Sequence, residues 1–431
     1  MSVNKWPGIL SLVLFVASSN ALAEINKSTL LGSVQNALTL NPKTQANTLR
    51  LQAMLEEVQK QKSSKYPTAY LKAGVYRSAQ SKGAESSAYR SREVSVGVDW
   101  AIFEPSRKFR IQEAQCDYKQ QEAEYNATNP RISNTQGELA GLVVNNYIAL
   151  VRIESSIKKH LKMKDILSYY LKAAKNEDEI SRINRSIRLV DIDLKELDFK
   201  FDSAKKTYLF LVTVSPPETF EKMDDSIRTL IIPEFEDEAL RVAMQKSPEI
   251  RTAELRIECM NLSYRGDKRD TLLPRVNVGA STSRGRENDV YSRVGMPVRS
   301  SQVYLEISKS FNVGDSSGLN KKSLEISAAR KDLEGVISDL KADLSQYYPR
   351  TNNFIGIITE HEADLAEIEA QINELLKKIQ GGGSIDVVFG IDLLNSFDSA
   401  SSTVIDYKQG LLETKFLIQK RIGTLFDQLK P

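Results

Sequence analysis

The sequence predicts an α+β membrane protein in which strands of membrane-spanning length are connected to long helices, with two internal repeats. Large apolar residues occupy every second position of 94–102, which is typical of a β-strand with one apolar and one polar face. A tilted strand of about 9 to 11 residues crosses the hydrocarbon of a bilayer. Residues 303–311 repeat the alternation with one break at Lys309. Long stretches of helical composition follow each of these strands.

The composition gives the chain only a small net charge. The formal charge is +3, with 27% charged and 7% aromatic residues, so neither nucleic acid nor an acidic surface is indicated as a partner. The only cysteines are Cys116 and Cys259, each in a helical pattern. An exported protein is permitted a disulfide, but two cysteines do not make a disulfide scaffold, and two packed thiols are favoured.

The first 23 residues have the features of a secretory signal peptide. Lys5 precedes an apolar run from Ile9 to Ala17, and Ala21-Leu22-Ala23 forms a small-residue cleavage site. We therefore expect residues 1–23 to be removed and the chain to be exported. Beyond this segment no run of about 18 apolar residues remains, so a helical membrane span is not expected. A membrane role then requires a closed β-barrel.

Residues 24–232 are predicted to form the first repeat. A helix broken at Asn41-Pro42 ends near Tyr66-Pro67, and strands follow at about 68–78 and 92–103, with a polar loop between them. Residues of about 107–214 are predicted to form an antiparallel coiled-coil hairpin with its turn at 176–185. The heptad seam of the returning helix consists of Val190, Leu194, Leu197, Phe201, Ala204, Tyr208 and Leu211.

Residues 233–431 are predicted to form the second repeat, because the same order of signals returns. Ser247-Pro248 and Leu273-Pro274 follow their first-repeat counterparts by roughly 200 residues. Strands are expected at about 275–283 and 301–312, and a second coiled-coil hairpin at about 318–428, broken at 381–383. Pro349 is expected to bend the first helix of this hairpin or to mark its boundary.

Four strands are too few to close a barrel, so other copies of the chain are expected to complete it. Three copies supply twelve strands, which enclose a usable lumen, whereas eight strands from two copies are normally filled by side chains, so a trimer is favoured. The alternation assigns the interior and lipid faces. Interior positions are Tyr70, Lys72, Gly74, Asn277, Gly279, Tyr304, Glu306 and Ser308. Lipid-facing positions are Val94, Val96, Val98, Ile102, Val276, Val278, Val303, Leu305 and Ile307, with Trp100 and Phe103 in an aromatic girdle. A soluble sheet packed on helices would show the same alternation.

The duplicated halves, the Asn41-Pro42 and Ser247-Pro248 elements and the heptad hairpins resemble the outer-membrane efflux protein (TolC) family over essentially the whole exported chain. The resemblance implies a trimeric twelve-stranded transmembrane barrel in the outer membrane of a Gram-negative bacterium, continued by an α-helical tunnel in the periplasm. It implies a passive conduit of a tripartite efflux or type I secretion system. Its partners would be a periplasmic adaptor (membrane fusion) protein and an inner-membrane transporter, and its cargo drugs, metals or unfolded proteins.

The resemblance also points to residues at the hairpin tips. Gly383, Ser384 and Ile385 are similar to the tip of the family's second repeat, where the adaptor docks. Arg185, Ser186 and Ile187 are the first-repeat counterparts, with Arg185 where a glycine is usual. Asp392 resembles the second of two acidic residues that narrow the pore, and Phe389 stands at the position of the first. Asp392 also reads as a solvated helix residue.

No catalytic or metal-binding pattern is apparent in the sequence. The two histidines, His160 and His361, lack a suitably spaced ligand, and neither a phosphate-binding glycine loop nor a nucleophile elbow occurs. We therefore expect no enzymatic activity and no cofactor. A soluble periplasmic coiled-coil adaptor or scaffold is the alternative interpretation, since it would share the hairpins but not two pairs of lipid-length strands. A periplasmic enzyme is disfavoured.

Overall fold

The structure is a computed structural model, and it describes residues 29–82, 85–126, 136–217, 219–289, 295–310, 314–381 and 386–425. The predicted signal peptide at 1–23 lies outside these ranges, as do residues 382–385 of the predicted second hairpin turn. Within the sheet, the structure describes the backbone alone at 76–82, 85–91, 287–289, 295–296 and 298.

Ten helices and four strands make up the described chain. The helices are α1 (Leu30–Leu40), α2 (Pro42–Ser63), α3 (Arg107–Asn126), α4 (Gln136–Ala173), α5 (Glu177–Val212), α6 (Met223–Thr229), α7 (Glu236–Lys246), α8 (Pro248–Leu272), α9 (Asp315–Gln380) and α10 (Val387–Ile422). The strands are β1 (Thr68–Lys82), β2 (Glu85–Phe103), β3 (Arg275–Asp289) and β4 (Gly295–Ser308). In the part of the chain that the structure describes, none of the helices combines the length and the apolar character needed to cross a membrane.

The chain divides into two compact units. Unit 1 comprises residues 1–47, 124–250 and 337–431, and unit 2 comprises residues 48–123 and 251–336. All four strands belong to unit 2, and α1, α4 to α7 and α10 belong to unit 1, whereas α2, α3, α8 and α9 have residues in both.

Unit 2 is built on one antiparallel sheet with the strand order β1-β2-β3-β4. The strand ends next to the helices lie near their predicted positions. At the hairpin ends, each strand is longer than predicted. The polar loops predicted at 78–92 and 283–301 are wrong, since β1 runs to Lys82 and β2 begins at Glu85, and β3 runs to Asp289 and β4 begins at Gly295. Polar residues on both faces remove the alternation that predicts a strand, but they do not prevent backbone pairing.

Cys116 of α3 and Cys259 of α8 form a disulfide in unit 2. This corrects the prediction of two packed thiols. Their Cα atoms are 5.4 Å apart, within the range that a disulfide requires, although 143 positions separate them in sequence. The spacing of the two cysteines along the chain carried no information about this distance.

Unit 1 contains two hydrophobic cores. The first is centred on α1, α4 and α5, where Val143, Tyr147 and Leu150 are fully buried, and α6 and α10 contribute to it. The second joins α4, α5, α9 and α10 around Tyr170, Ile372 and Leu394. The heptad seam predicted for 190–211 is confirmed as the inward side of α5, because Val190, Tyr208 and Leu211 are buried and the other seam residues are partly buried.

The turn between α4 and α5 is shorter than predicted. The linker comprises only 174–176, and the charged segment 176–185 is the first part of α5 rather than a turn. The carboxylate of Glu179 accepts hydrogen bonds from the backbone N–H groups of Lys175 and Asn176 at 3.0 and 3.4 Å, which starts the helix at once. Pro349 lies inside α9, so it is not a helix boundary.

Candidate functional site

The sheet of unit 2 has one polar and one apolar face, because register partners share a face and successive residues alternate between faces. Tyr70 lies opposite Gly97, which lies opposite Ser281, and Asn277 lies opposite Glu306. The structure thus brings Tyr70, Lys72, Asn277, Tyr304 and Glu306, predicted for the barrel interior, to one face of one sheet. We call this surface the polar face.

Two tyrosines lie flat across glycines on the polar face. A Cβ atom added to Gly97 would lie 2.5 Å from Cζ of Tyr70, and one added to Gly279 would collide with the ring of Tyr304. Any side chain at either glycine would push its tyrosine away from the sheet. The rings cover backbone that glycine leaves bare, an arrangement known to support glycines in sheets. The sequence showed the tyrosines and the glycines, but only the register pairs them.

Charged groups accompany these tyrosines. The Nζ atom of Lys72 lies 4.4 Å from the centre of the Tyr70 ring, a cation–π contact. The hydroxyl of Tyr304 donates a hydrogen bond to the carboxylate of Asp99. A concavity of about 410 Å³ lies beside Tyr70, and its lining includes Lys72, Glu93, Arg92, Arg286 and several serines. The polar face therefore offers hydroxyls and charges of both signs to water.

The opposite face, which we call the apolar face, exposes large hydrophobic side chains. Leu71 is 71% and Val303 is 83% exposed, and the exposed fractions of the other side chains lie between 40% and 67%. The exposed members are Leu71, Val75, Val94, Val96, Val98, Trp100, Phe103, Val303, Leu305 and Ile307. A soluble monomer rarely leaves a contiguous apolar surface of this kind uncovered, so this face requires a nonpolar environment.

A β-bulge marks the end of the apolar face that adjoins the helices. The register passes from Ala101 directly to Phe103, which leaves Ile102 without a partner and places Phe103 opposite Val276 on the apolar face. Trp100 donates its indole N–H to the backbone oxygen of Lys65 at 3.0 Å. Two aromatic side chains therefore border the apolar face, as an interfacial girdle would require.

Ionic contacts hold the segments next to this bulge. The carboxylate of Glu104 is nearly buried and pairs with Arg107 at 3.4 Å, with Arg275 at 3.7 Å and with Arg110. Arg275 also pairs with Asp270 at 3.2 Å. Glu104 thus connects the end of β2 to the start of β3 and to α3. A network of several partners around one shielded carboxylate is more favourable than an isolated surface pair.

The predicted tip residues lie in unit 1 where they are described. Arg185, Ser186 and Ile187 are in α5, with Arg185 exposed and Ile187 packed against the second core. Gly383, Ser384 and Ile385 lie outside the described residues. Asp392 is an exposed residue of α10.

The start of α10 is held by Asp386 and Gly390. The carboxylate of Asp386 caps the helix by accepting hydrogen bonds from the backbone N–H groups of Val388 and Phe389 at 2.9 and 3.2 Å. The ring of Tyr170 packs so closely on Gly390 that an added Cβ would lie 2.8 Å from it. Burial raises the pKa of Tyr170 to about 12. Sequence reasoning missed this contact, since neither residue belongs to a recognisable motif.

Within the described residues, no group of three or more His, Cys, Asp or Glu side chains is placed to hold a metal ion.

The fold is that of solved outer-membrane channels. A membrane protein from Pseudomonas aeruginosa matches with a TM-score of 0.68 at 14% identity, covering 91% of this chain and 90% of that one. The outer membrane protein VceC from Vibrio cholerae matches with a TM-score of 0.62 at 13% identity, over 91% and 96% of the two chains. The MtrE outer membrane channel of Neisseria gonorrhoeae matches with a TM-score of 0.58 at 14% identity, covering 92% of this chain and 90% of that one.

A family match adds to the likeness of fold. Residues 33–158 match the family described as outer membrane efflux protein. This confirms the predicted resemblance to the outer-membrane efflux protein (TolC) family. No match was found among curated proteins.

Proposed function

We propose that this chain is the outer-membrane channel of a tripartite efflux or type I secretion system, and that it is a passive conduit. Three copies would pool their strands into a twelve-stranded barrel, which the helices continue as a tunnel into the periplasm. The observation that carries the proposal is a sheet with an exposed apolar face, a polar face and two open edges. The family match to outer membrane efflux proteins supports the same assignment.

The open edges require partners. β1 and β4 are the outer strands of the sheet, of 15 and 14 residues, so each has one side without a partner strand in the chain as described. An unpaired backbone N–H or C=O group in lipid costs several kcal/mol. Edges of this length cannot stay open there, and pairing β1 of one copy with β4 of the next satisfies both. Three copies give a lumen that side chains do not fill.

The polar face would then line the pore. Lys72 would place a positive charge in the lumen, and Glu306, Glu93 and Asp99 would place negative charges there. Tyr70, Asn277 and Tyr304 would line the same surface. Transport through such a pore requires no covalent step, and no enzymatic activity is proposed. Drugs, metal ions and unfolded proteins remain alternative cargoes.

The hairpin ends would meet the partners. Arg185, Ser186 and Ile187 together with Gly383, Ser384 and Ile385 are proposed to contact a periplasmic adaptor, which connects the channel to an inner-membrane transporter. Asp392 is proposed as the narrowing point of the tunnel. Residues 1–23 are proposed as a signal peptide, and residues 24–232 and 233–431 as the two repeats.

Assembly is tested by cross-linking the edges. A69C on β1 is combined in turn with V303C and L305C on β4, and the single-cysteine variants are the controls. We expect a non-reducing gel to show dimers and trimers for at least one combination and only monomer for each single variant. A native mass of one chain in detergent, with no cross-link for any pair, would contradict a shared barrel.

Conduction is tested by single-channel recording in planar bilayers. The wild-type trimer should conduct, and K72Q and E306Q should shift its ion selectivity in opposite directions, because they remove charges of opposite sign from the lumen. K108Q, at an exposed position of α3, removes the same charge as K72Q outside the barrel and should leave the reversal potential unchanged. An assembled trimer that never conducts, or a K108Q shift equal to that of K72Q, would contradict the assigned pore.

A further inference from the structure

Four arginines form two adjacent rows across the sheet near its hairpin turns. Arg284 of β3 lies opposite Arg299 of β4 and opposite Val94 of β2. Two positions closer to the turns, Arg286 of β3 lies opposite Arg92 of β2. We call these four residues the arginine rows. One register row further, Arg77 of β1 pairs with Arg90 of β2.

The arginine rows belong to the apolar face. Arg92 follows the same alternation as Val94 and Val96, and Arg284 follows that of Val276 and Val278, so their side chains project from the side of the sheet that carries the valines. All four arginine side chains are exposed. The outward surface therefore changes along the strands from purely hydrophobic to strongly basic.

Among the described residues, no acidic side chain lies within ion-pair distance of the arginine rows, although Glu93 lines the same concavity as Arg92 and Arg286. None of the four arginines forms an ion pair there, and the described positions of the apolar face include no Asp or Glu. Like charges directly opposite each other on neighbouring strands are unfavourable. An anion bound from outside the chain would offset this repulsion, because the other described side chains of this face are hydrophobic or uncharged.

The arginine rows lie at the height of a membrane surface if the apolar face is immersed in lipid. Arg284 is eight positions and Arg286 ten positions beyond Val276, the row of the bulge. At about 3.3 Å per residue and a tilt of about 40°, the rows lie roughly 20 and 25 Å above that row. The apolar band of such barrels is about 25 Å tall. Aromatic residues thus border the band at one end and arginines at the other.

We propose that the arginine rows bind the phosphate groups of anionic lipid headgroups in the leaflet on the side of the hairpin turns. The proposal rests on the proposed function, which places this face in a membrane. A guanidinium donates two parallel hydrogen bonds to a phosphate, and it is the side chain best suited to that geometry. Two arginines about 5 Å apart across neighbouring strands can hold one phosphate together, and two such rows suit a headgroup with two phosphates.

The continuity of the surface selects lipid as the source of the phosphate. A lipid whose acyl chains contact the valines has already lost most of its translational and rotational freedom, so its phosphate reaches the arginines at little further entropic cost. A free phosphate ion has no such contact and must bind exposed side chains in bulk water alone. The predicted affinity therefore depends on a lipid that carries both parts.

The test uses the purified full-length assembly in a neutral detergent. Fluorescent diphosphoryl lipid A is titrated into the wild type, into R92Q/R284Q/R286Q/R299Q and into the control K108Q/K119Q/K268Q/R330Q. The control removes the same four charges from exposed helix positions of the same unit. We expect the arginine variant to bind the lipid at least about tenfold more weakly than the wild type, because each basic group near a membrane surface adds to the attraction of anionic lipid. The affinity of the control should stay within about twofold of the wild type.

A second measurement on the wild type keeps the test independent of whether the variants fold. Lipid A without its phosphates should bind at least about tenfold more weakly than the diphosphoryl form. Inorganic phosphate at millimolar concentration should not displace the bound diphosphoryl lipid. Displacement by inorganic phosphate, equal binding of both lipids, or equal losses in the two variants would each overturn the proposal.

Conductance in bilayers of neutral phosphatidylcholine separates this proposal from the proposed function. Wild-type trimers that conduct but show no preference for phosphorylated lipid would overturn the arginine rows as a lipid site and leave the channel intact. Wild-type protein that neither assembles nor conducts would instead overturn the channel.

Discussion

The hydroxyl of Tyr170 provides a sharp test of the packing in unit 1. Tyr170 is fully buried in the second core, and among the described residues its hydroxyl has no hydrogen-bond partner. Leaving a buried polar group unsatisfied costs about 1–3 kcal/mol. Y170F removes that oxygen and keeps the ring that packs on Gly390, so we expect the free energy of unfolding to rise by about 1 kcal/mol.

Tyr208 is the matched control, because the same chemical change should there have the opposite sign. Tyr208 is also buried, but its hydroxyl lies 2.8 Å from Oγ of Ser33 and forms a buried hydrogen bond with it. Y208F breaks that bond, and Ser33 keeps only its bond to the backbone oxygen of Thr29 at 3.0 Å. We expect a loss of about 1 kcal/mol, so that the two variants differ by roughly 2 kcal/mol.

The difference is measured as the shift of the urea midpoint followed by far-ultraviolet circular dichroism. Hydrogen exchange then locates the effect, with greater protection near the end of α4 in Y170F and less protection in α1 and α5 in Y208F. Destabilisation of both variants by similar amounts would refute the reasoning, since it would mean that the Tyr170 hydroxyl has a partner of comparable value.

Three further predictions concern stability. Because burial raises the pKa of Tyr170 to about 12, its hydroxyl ionises first in the unfolded chain, so the free energy of unfolding should fall as the pH rises from 10 to 12, and Y170F should show a smaller fall in that window by circular dichroism. C116S/C259S should lower the free energy of unfolding by about 2–4 kcal/mol under non-reducing conditions, and an unchanged urea midpoint would contradict a formed disulfide. Gly423 has φ +79° and faces a backbone oxygen, so G423A should lower the free energy of unfolding by more than about 1 kcal/mol. Gly356 lies in open space within α9, so G356A should raise the free energy of unfolding by roughly 0.5–1 kcal/mol in the same assay.

Strong local patterns made the strands and the coiled-coil seam predictable. The alternation at 94–102 depends only on which side chains meet nonpolar surroundings or water, and the heptad spacing of Val190, Tyr208 and Leu211 depends only on helix geometry. The tip residues and the partners came from the family resemblance rather than from such patterns, and their roles remain predictions.

Where local pattern ended, sequence reasoning failed. The strands continue beyond 78 and 283 because backbone pairing tolerates polar side chains on both faces. These outer parts of the strands lack the alternation of apolar and polar residues from which a strand is predicted. The turn before α5 was misplaced because the charges of 177–185 are common to loops and to exposed helices. The capping contacts of Glu179, which decide between these alternatives, are visible only in three dimensions.

The sequence by itself determined the central parts of the long helices and of the strands and which side of each is hydrophobic, since both depend on neighbours a few residues away. Only the tertiary structure decided which distant residues meet. It joined Cys116 to Cys259, laid Tyr304 over Gly279, and aligned Arg284 with Arg299. Such pairs depend on the register between strands and on the packing between helices. Both arise from the sum of many weak contacts, so they cannot be inferred from any single residue of the sequence.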